Sequence, residues 1–455
     1  MKKSRIKERL VMKMLDTSHI EQFNELLRYA FQVTDSDLLF TGWSDDSIKR
    51  SKYPILQHAK VLGWFDKGVD CKNSQDSKEN TESKLQNSQD FNHNIIESKT
   101  SQNEKLVSQI ALYPMKMNIY NKIFDMGGIT GVATYPEYSG IGLMADLMKE
   151  ILKIMRDNRQ SIACLYPYSI PYYRSRGFEI VSDKMTFTIK DNQFPKPPAV
   201  NGMMQRVKEN HPDLIALHNE FALQTHGCLV RDDLAWNEYW RWDVEDTIVA
   251  IYYDENDKPS GYIVYLLEND IFKIKEMIYL NEEARHGLWG YIAAHKSMFE
   301  RIEGANFSNH SLAFLLEDGH IKESISPYIM ARIVDVAQFL EQYPFDRAES
   351  VFSLCFIVRD PLLEWNNLAF ILHFNYDDFR LEMIESRALD SKNHNFECEN
   401  LEIIKLDIQT LTTMLLGYKR PLYLRSIGRL NASNAAIDKL EEILPEGKAY
   451  FSDYF

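Results

Sequence analysis

Cysteine is scarce in this sequence. Cys71, Cys164, Cys228, Cys355 and Cys398 are five in a chain of 455 residues. The number is odd and no CxxC or Cys/His cluster occurs, which argues against a disulfide framework and a zinc site. Long apolar runs are missing as well. Nothing approaches the ~18 residues of a membrane span. The N-terminal stretch MKKSRIKERLVMKML is basic and has no apolar core of signal-peptide length, so a soluble cytoplasmic protein is expected. Positive charge is in deficit: 52 Lys and Arg stand against 66 Asp and Glu, a net charge of −14. Nonspecific nucleic-acid binding needs a basic face, which this balance does not supply. A negative field instead draws cationic amines. GxGxxG is absent, and no GK[ST] occurs, so there is no Walker loop.

What is present is ordinary globular material: 45% hydrophobic and 26% charged residues exclude wholesale disorder. At about 150 residues per domain the length suggests roughly three domains. One segment breaks the pattern. From Cys71 to Lys105 the chain is rich in Ser, Asn, Gln and Lys, and NSQD occurs twice, at Asn73–Asp76 and Asn87–Asp90. Too few apolar residues are present to offset chain entropy, so 71–105 reads as a solvated insertion.

Around that insertion, strand and helix patterns alternate. Arg5–Met14, Lys60–Phe65, Leu106–Ile119, Lys122–Thr134, Ser161–Tyr166 and Phe178–Ile189 read as strands. A helix capped by Thr17 is expected over Ile20–Phe31, and another over Leu143–Asn158, where Leu147, Met148, Ile151 and Met155 make a helical stripe. Pro195, Pro197 and Pro198 mark a boundary. The middle region repeats the mixture, with a helix near Pro212–Leu223, strands at Thr247–Tyr253, Gly261–Leu267 and Phe272–Tyr279, and a helix over Glu282–Phe299. The last region opens with alternating strands, LAFILHF and FRLEM. It ends in a helix capped by Ser433 or Asn434 and stopped by Pro445, followed by the aromatic tail PEGKAYFSDYF.

The stretch that carries chemistry is GGITGVATYPEYSGIGLMADLMKEIL, Gly127–Leu152. A β-branched run ends at Tyr135-Pro136, a turn with Gly140 and Gly142 follows, and an amphipathic helix begins at once. Unpaired N–H groups and the helix dipole favour an anion there, and glycine lets a phosphate approach the backbone. A plain tight connection would carry the same residues. Downstream, SIPYYRSRGFE places Tyr172 and Tyr173 before Arg174 and Gly177-Phe178. A phenol can donate a proton to a leaving thiolate, although most tyrosines in such positions only pack.

Together these residues resemble the GNAT superfamily of N-acetyltransferases. The family signature is a strand, often a proline, then [Q/R]-x-x-G-x-[G/A] at a helix start. It maps onto Val132, Thr134, Pro136, then Ser139, Gly142 and Met144. The resemblance implies that acetyl-CoA, as acyl donor, lies along Val132, Ala133 and Thr134. It further implies that the backbone of Ser139, Gly140, Ile141, Gly142 and Leu143 holds its pyrophosphate. The chain departs from the pattern at Ser139, in place of Gln or Arg, and at Met144, in place of a small residue. The later match to Y-x-x-x-G-F implies Tyr173 as general acid and leaves Tyr172 one residue off.

The whole layout resembles the "enhanced intracellular survival" (Eis) branch. The implied fold is α/β (α+β): tandem GNAT-like mixed-sheet domains and then a sterol-carrier-protein-like α+β domain. The expected spans are an active domain over 1–195, a degenerate second copy over 196–345, and the third domain over 346–455. At the second copy's junction, IYLNEEARHGLWGYIAAH, Glu282 and Glu283 stand where phosphate would dock and would repel it. The branch also implies that the terminal carboxylate, here that of Phe455, assists deprotonation of the amine. A frayed terminus is the reading of the sequence alone. The expected reaction is direct attack of a primary amine of a small cationic substrate on acetyl-CoA, by a homo-oligomer, with a hexamer implied by the branch. The alternatives are a CoA- or lipid-binding carrier without transferase activity and an acetyltransferase of protein lysines or N-termini.

No metal is expected. Asp254, Glu255 and Asp257, and Asp377 with Asp378, read as turns. His310 and His320 have no second His or Cys at ligand spacing. Trp236, Trp240 and Trp242 suit core packing or a substrate wall.

Overall fold

The computed structural model describes residues 6–40, 44–67, 104–241, 246–308, 310–385 and 401–455. Trp242 and all but the last two residues of the 71–105 insertion lie outside these spans. The chain divides into two compact units, Met1–Tyr113 with Ile129–Ile151, and Pro114–Gly128 with Leu152–Phe455.

In the first unit, β1 (Leu10–Leu15) runs antiparallel to β2 (Lys60–Asp66), with Leu10 opposite Asp66. β2 runs antiparallel to β3 (Lys105–Ile119), with Lys60 opposite Leu112. The first strand starts at Leu10 rather than Arg5. The residues before it are charged, and Lys7 and Arg9 pair with Asp146 and Asp66 instead of entering the ladder. Helix Ile20–Ala30 buries Ile20, Phe23, Leu26 and Leu27; of the face expected at Phe23, Leu26, Leu27 and Ala30, only Ala30, at the helix end, is exposed. Its approach is capped by Asp16 rather than Thr17: the Asp16 carboxylate accepts from the Ser18 N–H at 2.9 Å.

In the second unit, the start of β4 (Lys122–Thr134) pairs in parallel with β5 (Ile162–Leu165), only over Met126–Gly128 against Ile162–Cys164. The expected strand Phe178–Ile189 is two strands. β6 (Glu179–Ile180) and β5 both pair with β15 (Met330–Ile333), while β7 (Asp183–Lys190) joins another sheet. The backbone changes partners between them: Val181 N–H donates to Ile329 C=O and Tyr328 N–H to Ser182 C=O.

That other sheet also contains β8 (Met203–Val207), β10 (Ile248–Tyr253), β11 (Pro259–Glu268), β12 (Ile271–Tyr279), β13 (Arg301–Asn306) and β14 (Lys322–Pro327), in the order β14-β7-β13-β12-β11-β10-β8. The period-two alternation of β11 feeds both faces. Ile263 and Tyr265 pack with Phe272, Leu288 and Ile302, whereas Tyr262 and Val264 pack with Leu214, Leu217 and Trp236. Short β9 (Leu229–Val230) pairs with β3 at Lys116 and Met117. Helix Glu282–Ala294 stops before the expected Phe299, at His295, whose Nδ1 bonds the Tyr291 C=O. The last sheet is β16 (Phe352–Arg359), β17 (Leu368–Asn375), β18 (Asp378–Glu385) and β19 (Leu401–Asp407), in the order β18-β17-β16-β19. Helix Asn434–Ile443 follows, and the cap is Ser433, whose Oγ accepts from Ala436 N–H at 2.9 Å.

Candidate functional site

The turn after β4 is built by conformation. Gly131 has φ +60, a left-handed residue inside the strand. An isolated glycine in a β-branched run was the sequence signal for it. Thr134 is tied to Ser108 by a 2.7 Å hydroxyl contact, and Tyr135 N–H donates to Val107 C=O. Val132 and Thr134 are half-buried and Ala133 is buried. Pro136–Tyr138 forms one 3-10 turn, anchored where the Tyr138 hydroxyl donates to Asp66 at 2.8 Å. Arg9 also donates to Asp66, and burial together with that carboxylate pushes the Tyr138 phenol up to about 12.

Gly140 and Gly142 then take φ +75 and +88, where side chains with a Cβ are strained. The helix begins at Leu143, as expected, and Asp146 N–H donates to Gly142 C=O. Gly142 thus stands at the cap position and has no side chain to accept from the leading N–H groups, which a helix cannot satisfy internally. Ser139, Gly140 and Gly142 are exposed. A cation is close by: a Cβ on Gly142 would lie 3.7 Å from Lys7 Nζ, and Lys7 pairs with Asp146 at 2.7 Å. The Trp64 indole donates to Leu143 C=O at 3.1 Å and fixes the first turn.

In the second unit, Tyr173 lies on the one-turn helix Ile170–Arg174 and is only 6% exposed. Burial, with neighbouring Tyr172, pushes its phenol up to about 12, so it stays protonated at neutral pH. Tyr172 meets it edge-on with ring centroids 5.1 Å apart, and the Arg176 guanidinium lies over the Tyr172 ring. The far end of this helix is held from later in the chain. Gln409 Nε2 donates to Arg174 C=O at 2.9 Å, and Arg332, wholly buried with Asp360, donates to Arg176 C=O. Gly177 makes room for that guanidinium, since a Cβ there would lie 2.7 Å from it.

The C-terminal tail is docked, not frayed. Ala449 and Phe451 are fully buried. Tyr450 N–H donates to His226 C=O, and the Tyr328 hydroxyl donates to Asp453 C=O at 2.9 Å. Arg231 Nε donates to the Asp453 carboxylate at 2.7 Å. The Tyr454 ring meets Tyr166. The Phe455 ring covers Gly128, where a Cβ would lie 2.9 Å from it. Gly128 precedes Val132 by four residues in β4. Neither Gly128 nor the Arg231–Asp453 pair carried a local sequence signal.

The junction after β12 is closed by its own chain. Asn281 Oδ1 accepts from Ala284 N–H at 2.8 Å, capping helix Glu282–Ala294. The Tyr252 hydroxyl donates to Glu283 at 2.8 Å, and the Tyr252 ring fills the space where a Cβ of Gly287 would stand. Trp236 packs in the core and takes the Arg231 guanidinium on its face. Among the described residues, no group of three or more His, Cys, Asp or Glu could hold a metal, and no helix is long and apolar enough to cross a membrane.

Acetyltransferase (GNAT) domain profiles match residues 72–181 and 227–333, and a sterol carrier protein domain profile matches 336–452. No curated protein sequence is significantly similar. Several solved structures share the fold over 98% of this chain. A protein of unknown function from Enterococcus faecalis V583, described as a probable N-acyltransferase, is 23% identical with 99% of its own length covered and a TM-score of 0.78. A GCN5-related N-acetyltransferase from Anabaena variabilis is 21% identical with 100% covered and a TM-score of 0.76. Eis1 from Mycobacterium abscessus is 16% identical with 100% covered and a TM-score of 0.71.

Proposed function

We propose that this chain, which carries two GNAT acetyltransferase domains and a C-terminal sterol carrier protein domain, is an Eis-type N-acetyltransferase, and we propose a substrate class and a mechanism for it. The reaction is transfer of acetyl from acetyl-CoA to a primary amine of a small cationic substrate. The observation that carries this reading is the glycine turn at 140–142, which leads into a helix that starts after Gly142, a residue with no side chain to cap it.

Acetyl-CoA docks along Val132, Ala133 and Thr134, and its pyrophosphate takes the N–H groups of Ser139–Leu143. Lys7 supplies the cation that Ser139 lacks, exchanging Asp146 for phosphate. The amine, mostly protonated at neutral pH, gives a proton to the Phe455 carboxylate. Its nitrogen attacks the thioester carbonyl, a C–N bond forms, and the C–S bond breaks. Tyr173, which burial keeps in its protonated form, protonates the departing thiolate, and the second proton of the attacking nitrogen restores the phenol. The net charge of −14 favours a cationic acceptor.

The test is CoA release from acetyl-CoA with a panel of polyamines, aminoglycosides and lysine peptides, using protein with its native C-terminus. Turnover with compact polycations is the expected result. Turnover with peptides alone would replace the small amine by a protein substrate. Acetyl-CoA binding by calorimetry without turnover on any amine would favour a carrier. Lys7→Ala should raise KM for acetyl-CoA about fivefold, as for the loss of one phosphate-facing charge, and leave kcat unchanged. An unchanged KM would remove Lys7 from the site.

A further inference from the structure

The second GNAT copy holds a buried polar cluster with no counterpart in the chemistry above. Arg231 follows β9 and its side chain is 0% exposed. It donates through Nη1 and Nη2 to both oxygens of Glu276 on β12, at 3.1 and 2.7 Å, and through Nε to Asp453 at 2.7 Å. Its guanidinium also lies over the rings of Trp236 and Tyr239, with 4.7 and 4.0 Å to their centroids. Glu276 takes two more donors, the Tyr262 hydroxyl at 2.7 Å and the Ser452 hydroxyl at 3.1 Å.

The two carboxylates are held unequally. Glu276 is saturated with donors, and despite burial Arg231 holds it down to about 2. Asp453 has one oxygen on Arg231 and the other without a partner. Burying charge is costly, and a cluster like this is seldom a source of stability compared with apolar packing. Its placement indicates another use. Asp453 and Ser452 are the third- and fourth-last residues, and Phe455 covers Gly128 two residues beyond Asp453. A chain end frays unless it is tied down.

We infer that Arg231, fixed by Glu276, is a clamp on the C-terminus, and that Asp453 is a positioning residue that sets where the terminal carboxylate of Phe455 stands. The proposal rests on the reading of that carboxylate as the proton acceptor. The second copy thereby acquires a role of its own, because β12, no longer leading to a phosphate site, grips the tail through Glu276. Removing Asp453 leaves Arg231 paired with Glu276, so the buried cation is not orphaned and the fold persists.

The test uses the full-length chain with Asp453→Ala, Asp453→Asn, deletion of Phe455, and Asp453→Ala combined with that deletion. Asp453→Ala should lower kcat roughly 10- to 10²-fold, the scale for a reacting group displaced by about 1 Å, with KM for acetyl-CoA unchanged. Asp453→Asn, which keeps an acceptor for Arg231 Nε, should recover part of the loss. In the Phe455-deleted chain, Asp453→Ala should have no further effect, since residues acting as one unit are not additive. Release of Phe455 by carboxypeptidase, followed by intact mass, should be faster in Asp453→Ala. A loss of kcat that multiplies with the deletion, or unchanged kcat and carboxypeptidase rate in Asp453→Ala, would overturn the clamp. Full activity after deletion of Phe455 would overturn the proton-acceptor reading itself.

Discussion

The two strand-to-helix junctions of the tandem copies use the same parts for opposite ends. After β4 the chain spends residues 135–142 on a 3-10 turn and two left-handed glycines, and the residue before the helix, Gly142, has no side chain to cap it. After β12 it spends only residues 280–281, and Asn281 caps the helix at once. Parallel pairing is short in both, over Met126–Gly128 and over Ile271–Ile274. What separates them is therefore the connection, not the sheet. An uncapped helix in a folded protein keeps N–H groups for a ligand; a capped one with two carboxylates in its first turn has given them up.

The sharpest test of the contrast is chemical. Tyr173→Phe should lower kcat by about 10²-fold, the lower range for a general acid, while calorimetry still finds acetyl-CoA bound. Wild-type turnover would mean that Tyr173 only packs. Next comes the open turn. Gly142→Val must either hold a left-handed conformation that costs ~1–2 kcal/mol or move the turn, so acetyl-CoA affinity should fall about tenfold. An unchanged affinity would show that the turn is only a connection.

A smaller effect separates the copies by acid sensitivity. The second copy buries His218 between the Tyr262 hydroxyl and the Leu229 C=O, and burial pushes its pKa down to about 3; His226, on the Leu416 C=O, goes to about 4. Both stay neutral when folded, whereas the unfolded chain protonates them below about 6.5. The unfolded state then binds more protons, so stability is lost as pH falls from 6.5 towards 4, by roughly 1 kcal/mol per unit for each histidine. Denaturant midpoints that stay flat between pH 7 and 5 would contradict this. The smallest expected effect is at the closed junction. Asn281→Ala should cost about 1 kcal/mol of stability and leave acetyl-CoA stoichiometry at one per chain. A second equivalent bound would make that junction a latent site.

The parts legible in the sequence are those whose cause is local. The helix start at Leu143 and the glycine turn follow from neighbouring residues, and the acid pair at Glu282 and Glu283 stands in the first turn where the spacing puts it. The division of Phe178–Ile189 into β6 and β7 was not legible, because the bonds that divide it come from Tyr328 and Ile329. The Thr17 cap failed for a local reason, since an ionised Asp16 stands one residue earlier as a stronger acceptor. The tail was legible only through the family resemblance. Its anchors, Arg231 and Gly128, are far away in sequence and carry no pattern that points to residue 455.

The cover of Gly128 by Phe455 also sets a timetable. Synthesis runs at ~5–20 residues per second, and Phe455 lies 455 − 128 = 327 residues beyond its resting place. The strand therefore waits on the order of half a minute for its last neighbour. Whatever folds around β4 in that interval does so with the niche over Gly128 still open, and only a chain translated as far as Phe455 can close it.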